Sequence, residues 1–165
     1  MENPYEVERV KDQKFIYDIF YEKTEVNSLV LDAIREFIKN PDYADLRQKY
    51  VPELYQMQKN YVLMIVPKGV RAGHPCYNYG YNRLKTKVNR PYILISINLE
   101  AIENIRVATF DYIFSMLSNG IVHEMLHELY YSEDEIEKRL TEYEEQLNKQ
   151  LTKDNRKFLL RSGYP

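Results

Sequence analysis

Two of the chain's three histidines lie four positions apart with a glutamate between them, in the segment His123-Glu124-Met125-Leu126-His127. On a helix, residues i and i+4 project from one face about 6 Å apart, so both imidazoles can offer a nitrogen to one metal ion. Glu124 falls about 100° round the axis, which lets its carboxylate reach a water at the metal's open position without being a ligand itself. The spacing therefore divides the roles: His123 and His127 bind, and Glu124 is the general base. The bland alternative is a pair of histidines sharing a helix face. The neighbours weigh against it: Ile121, Val122, Met125, Leu126 and Leu129 surround the motif. In such a helix, two imidazoles and a carboxylate cost several kcal/mol unless a metal or other partners satisfy them.

The elements that must position this motif can be read from hydrophobic periodicity. Beyond Asn98 the chain reads as helix, with Ile113, Leu117, Ile121 and Met125 recurring every four residues up to Tyr130. A second helix, carrying Ile136, Leu140, Tyr143, Leu147 and Leu151 as its buried stripe, begins after Ser132, which forms a capping box with Glu135. Upstream, residues 61–66 (YVLMIV) form a short apolar run closed by Pro-Lys-Gly, the signature of a buried strand and a turn. Residues 77–88 alternate Tyr77, Tyr79, Tyr81, Arg83, Lys85 and Lys87 against a second set, and Ile93, Ile95 and Ile97 alternate with Leu94, Ser96 and Asn98. Period two makes both of these strands, paired as a hairpin. The first sixty residues read as helical, with Val30, Ile34, Phe37 and Ile38 on one stripe that starts at Asn27 or Ser28 and stops before Pro41.

These elements predict an α+β fold: a small three-stranded sheet, a backing helix, the motif helix and a following glutamate helix. With 165 residues, 44% of them hydrophobic, the chain suits one domain: a helical part over 1–60, strands over 61–98 and the two helices over 99–151. A net charge of −2 gives no global basic field for nucleic acid. The charged N-terminus lacks the apolar run of a signal peptide, and nothing approaches the roughly 20 apolar residues of a membrane span, so a cytoplasmic or intracellular protein with no membrane partner is expected. Its single cysteine, Cys76, excludes an internal disulfide.

The segment IVHEMLHELY, residues 121–130, resembles the active-site helix of the zincin metallopeptidases, and the order helix, strands, active helix, second helix is similar to the zincin catalytic core over roughly residues 27–150. The resemblance implies one zinc ion per chain and hydrolysis of peptide bonds in a peptide or protein substrate. It also implies an extended substrate along an edge strand, which by position is Tyr92–Asn98. No histidine follows His127, and the glycine and third histidine of the metzincin pattern are missing, so the resemblance points to the gluzincin class and its compact minigluzincin members, with an acidic third ligand. Their second helix carries a ligand glutamate, a small apolar residue and an acid or amide. Glu135, Ile136 and Glu137 stand in those places, which gives Glu135 as the third ligand beside His123 and His127. Ile136 is larger than the usual alanine, and the link from His127 is short. On a helical wheel Glu133 lies about 60° from the buried stripe and Glu135 about 100° to its other side, so geometry slightly favours Glu133. Glu137 and Glu142 are open as well.

Other residues offer further chemistry. Tyr130 and Tyr131 follow the motif, where a phenol could hydrogen-bond an oxyanion, although sixteen tyrosines make that a weak signal. His74 and Cys76 lie together in Gly-His-Pro-Cys. A thiolate there could occupy the zinc's open position and keep the enzyme latent, while the commoner meaning is a loop histidine and an ordinary small residue. The tyrosines and bases of 77–90, including Arg83, Lys85, Lys87 and Arg90, support an alternative of another class, a nucleic-acid-binding protein with a structural or vestigial metal site. Exposed strands also often carry tyrosine and lysine, the latter partly to block edge pairing.

Overall fold

The computed structural model of the protein describes residues 4–12, 15–24, 26–56, 60–69, 73–78, 92–102, 105–129 and 132–156. In chain order the elements are β1 (Tyr5–Lys11), β2 (Ile16–Glu22), α1 (Ser28–Lys39), α2 (Pro41–Tyr50), a 3-10 turn (Pro52–Gln56), β3 (Asn60–Val66), β4 (Cys76–Asn78), β5 (Tyr92–Asn98), a second 3-10 turn (Leu99–Ala101), α3 (Phe110–Leu126) and α4 (Glu133–Lys153). The class is α+β, as the periodicity predicts. The sheet, however, has five strands, not three, in the order β1-β2-β3-β5-β4.

The two additional strands lie in the N-terminal part, which the sequence reading took as helical. β1 and β2 pair antiparallel, Tyr5 opposite Glu22 through Lys11 opposite Ile16. β2, β3 and β5 run parallel, and β4 closes the far side antiparallel to β5 with Cys76 opposite Ile97. The expected pairing of the strand near residue 77 with Tyr92–Asn98 is thus present, although residues 79–88 of that predicted strand lie outside the described residues. Because β5 has β3 on one side and β4 on the other, it is an interior strand. The expectation that Tyr92–Asn98 is the edge is overturned, since the strand lies between β3 and β4 and its Ile95–Ile97 stretch is paired on both sides. Among the described residues the edge beside α3 is β4.

One face of the sheet carries the core. Tyr17, Ile19 and Tyr21 of β2, Tyr61, Leu63 and Ile65 of β3, and Ile93, Ile95 and Ile97 of β5 are all buried in one cluster with helix residues. α1 supplies Val30, Ile34, Phe37 and Ile38 to it, and its first turn is capped by Asn27, whose side chain accepts from the backbone of Leu29 and Val30. Asn40 ends α1 and caps α2, whose first residue, Pro41, has no N–H to leave unsatisfied. α1 packs on α3 and α2 on α4. A buried ion pair joins the N-terminal strands to these helices: Arg47 Nη2 lies 3.2 Å from Asp12 Oδ2, and Arg47 Nη1 donates to the carbonyl of Phe37 at 2.8 Å. The hydroxyls of Tyr17 and Tyr55 both donate to the same Asp12 oxygen. Among the described residues no helix is long and apolar enough to cross a membrane.

Candidate metal centre

α3 is buried from Ile113 through Leu126, far more than the one stripe an amphipathic helix needs. Its C-terminal turn places three ionisable side chains in that apolar setting: His123 is 3%, Glu124 5% and His127 5% exposed. Burial holds the His123 imidazole down to about pKa 4, with a smaller effect from the charge of nearby His74. His123 is therefore neutral at pH 7, the form in which an imidazole nitrogen can bind a metal.

How α3 ends determines what comes to meet these side chains. In a continuing helix the Glu124 carbonyl would accept from the Glu128 N–H; here that N–H turns to Met125, and Leu129 bonds to Leu126 in the same tightened way. The Glu124 carbonyl is taken instead by Asn78 Nδ2 of β4, at 2.9 Å. The same Nδ2 is 3.3 Å from Glu128 Oε1, and Asn78 is fully buried. An edge-strand side chain thus terminates the motif helix. After the short link, Ser132 starts α4 by accepting from the Glu135 N–H at 3.1 Å, the N-terminus read from the sequence.

Glu133 is the first residue of α4, and its carboxylate straddles both imidazoles. Oε2 is 2.9 Å from His123 Nε2 and Oε1 is 3.1 Å from His127 Nε2. Glu124 Oε2 stands 3.7 Å from His127 Nε2. Ligand atoms of His123, His127 and Glu133 all lie within 4.8 Å of one another. Ligands about 2.0–2.1 Å from a tetrahedral zinc stand roughly 3.3 Å apart; the two histidine–Glu133 spacings, 2.9 and 3.1 Å, are a few tenths of an ångström short of that, and two imidazoles with a carboxylate are a donor set that suits the ion. The Glu133 side chain is 63% exposed, which leaves the centre approachable on that side.

The structure does not bring Glu135 to this group. It follows Glu133 by two residues on one helix, about 200° round the axis, so the two point to nearly opposite sides. Glu135 is exposed, as are Glu137 and Glu142, and none of the three belongs to the group. Comparison with protein-family models, curated protein sequences and solved structures finds no match to this chain. What the centre can do must therefore be argued from its own residues.

Cys76 is fully buried in the hydrophobic cluster, paired in register with Ile97 and outside the His123, His127 and Glu133 group. His74 is partly buried, and its carbonyl accepts from Asn98 Nδ2 at 2.7 Å, while the Asn98 N–H bonds the Pro75 carbonyl at 2.8 Å. Ser96 Oγ donates to Asn98 Oδ1. Gly69 faces the same carboxamide, with which any Cβ would overlap. Tyr130 and Tyr131 lie outside the described residues, as does the tyrosine and basic segment beyond Asn78. Asn78 carried no signal in the sequence, because a capping role across two elements has no local spacing; Glu133 did carry one, its place on the helical wheel.

Proposed function

We propose that the protein is a zinc-dependent metallopeptidase of zincin type, with His123, His127 and Glu133 as the metal ligands and Glu124 as general base. The observation that carries this reading is the convergence of the Glu133 carboxylate on both motif imidazoles, at 2.9 and 3.1 Å, from a separate helix. Two histidines and one carboxylate with an open side form the donor set of a catalytic zinc site.

A zinc ion held there supplies Lewis acidity, making water more acidic and a carbonyl carbon more electrophilic. Glu124 stands beside the ligands without belonging to them. It takes the proton of the attacking water as that oxygen bonds to the scissile carbonyl carbon, then delivers it to the nitrogen as the C–N bond breaks. Burial of Glu124 keeps its carboxylate from being shielded by bulk water. The substrate backbone would lie extended beside β4, whose Asn78 also fixes the helix end, so one short strand sets both the peptide and the catalytic turn.

The test is elemental analysis of protein purified without an affinity tag, followed by cleavage assays on a denatured protein and a mixed peptide library. About one zinc per chain is expected, with cleavage abolished by Glu124→Gln while the zinc stays bound. A parent that takes up no zinc after incubation with the ion, or a Glu124→Gln variant with undiminished cleavage, would sink the proposal.

A further inference from the structure

Asn119 lies on α3 one helical turn before His123. It is 2% exposed, and its Oδ1 is buried with no hydrogen-bond partner. A buried carboxamide oxygen left this way costs folding free energy, and a native fold retains such a group for a reason. Side chains on a helix lean toward its N-terminus, so the residues nearest the His123 side chain along the helix are those three and four positions earlier, although no hydrogen bond joins His123 to Asn119 in this structure. Those residues are Gly120, which has no side chain, and Asn119. The imidazole directs Nε2 at Glu133, at 2.9 Å, and its Nδ1 is buried.

A histidine that binds metal through Nε2 carries its proton on Nδ1, and that N–H must be given an acceptor. A carboxamide oxygen is such an acceptor, with two lone pairs. The geometry points to Asn119 as the positioning residue that accepts the Nδ1–H of His123 when Nε2 holds the metal, an inference that rests on the metal-centre reading above. Asn119 Oδ1 then has opposite effects in two states. Where His123 carries its proton on Nε2, toward Glu133, Asn119 Oδ1 receives no hydrogen bond from it; with metal bound it would fix the tautomer and ring orientation of a ligand. Ser118, next to it, is already committed, its hydroxyl donating to the Phe114 carbonyl at 2.6 Å.

The two signs make a test that a merely structural role would fail. Zinc affinity of the full chain is measured by competition with a chromophoric chelator, beside thermal unfolding of the zinc-free form, for the parent, Asn119→Leu and Asn119→Asp. Asn119→Leu should bind zinc roughly 10–100-fold more weakly, while its zinc-free form melts at or above the parent's temperature. Asn119→Asp, a stronger acceptor, should bind at least as tightly as the parent. Should leucine prevent folding, Asn119→Ala removes the oxygen without adding bulk and is read for zinc affinity in the same way. Parent-like zinc affinity in the folded leucine or alanine variant overturns the role of Asn119 and leaves the metal centre standing. A parent that binds no zinc overturns the centre itself, and this role with it.

Discussion

At the scale of single residues, the centre turns on which glutamate opens α4. Glu133 and Glu135 differ by two positions, about 200° on a helix, so only one of them can face the imidazoles. Glu133→Gln should weaken zinc binding by more than the roughly 10–100-fold that a supporting residue costs, and Glu135→Gln should leave it unchanged, both read by chelator competition. Loss of zinc with Glu135→Gln alone would reverse the assignment. Glu144 makes a second residue-scale case. It is 5% exposed with Oε2 unpartnered, and burial, helped by the charge of Glu137, pushes its carboxyl up to about 7. Because the folded state holds this proton more tightly than the unfolded chain, the associated stability is complete below the unfolded pKa near 4.5 and is lost as pH rises through about 7. Glu144→Gln should therefore gain on the parent between pH 5 and pH 8, by up to about 3 kcal/mol at one unit per 1.4 kcal/mol. Urea unfolding at the two pH values measures it, and a pH-independent difference would contradict the assignment.

At the scale of elements, the site exists because α3 stops where it does, and the stop comes from β4. Asn78→Leu keeps the branched outline, with added bulk, but removes the donor to the Glu124 carbonyl and the Glu128 carboxylate. A loss of about 2–3 kcal/mol is expected, since a buried carbonyl and a carboxylate each lose a partner. Faster amide exchange at the C-terminal turn of α3 should accompany it, and unchanged protection there would show that the cap is not what ends the helix. Nothing in the sequence around Asn78 announces this role, because its partners lie 46 and 50 positions away. Elements with a regular apolar pattern were legible: α1, α3, α4 and β5 follow from the spacing of their apolar residues and β3 from its apolar run, although α3 is buried well beyond the stripe that revealed it. β1 did not, because an edge strand with Tyr5, Glu6, Val7 and Arg9 exposed buries only Val10 and so shows no apolar alternation. β2 was readable in principle. Tyr17, Ile19 and Tyr21 alternate inward, but two of the three core positions are tyrosines and Phe20 lies on the other face, which blurs the period.

At the scale of the whole molecule, two polar groups tie elements together, one across 35 positions of the sequence and one across a short link. Asp12 and Arg47, both with fully buried side chains, tie the β1–β2 end of the sheet to α2 and, through the Phe37 carbonyl, to α1. His123, His127 and Glu133 tie the end of α3 to the start of α4, which packs on α2. Removing one member of a buried pair strands the other, so Arg47→Met should cost about 3–5 kcal/mol, moderated by the Tyr17 and Tyr55 hydroxyls that still donate to Asp12. Zinc held at the second group would act with the opposite sign. A ligand that binds only the folded state at 100 times its dissociation constant stabilises it by about 2.7 kcal/mol. The ion pair and the metal group share no residue, and effects at sites without common partners add to within about 0.5 kcal/mol. Urea unfolding of parent and Arg47→Met, each with and without zinc at the same saturation, should therefore give the same zinc increment on two different baselines, and Glu133→Gln should show no increment at that zinc concentration. An increment that vanished in Arg47→Met would mean that the N-terminal strands and the metal group are one cooperative unit in which the buried arginine helps to form the site, and would refute the independence that their separate contacts imply.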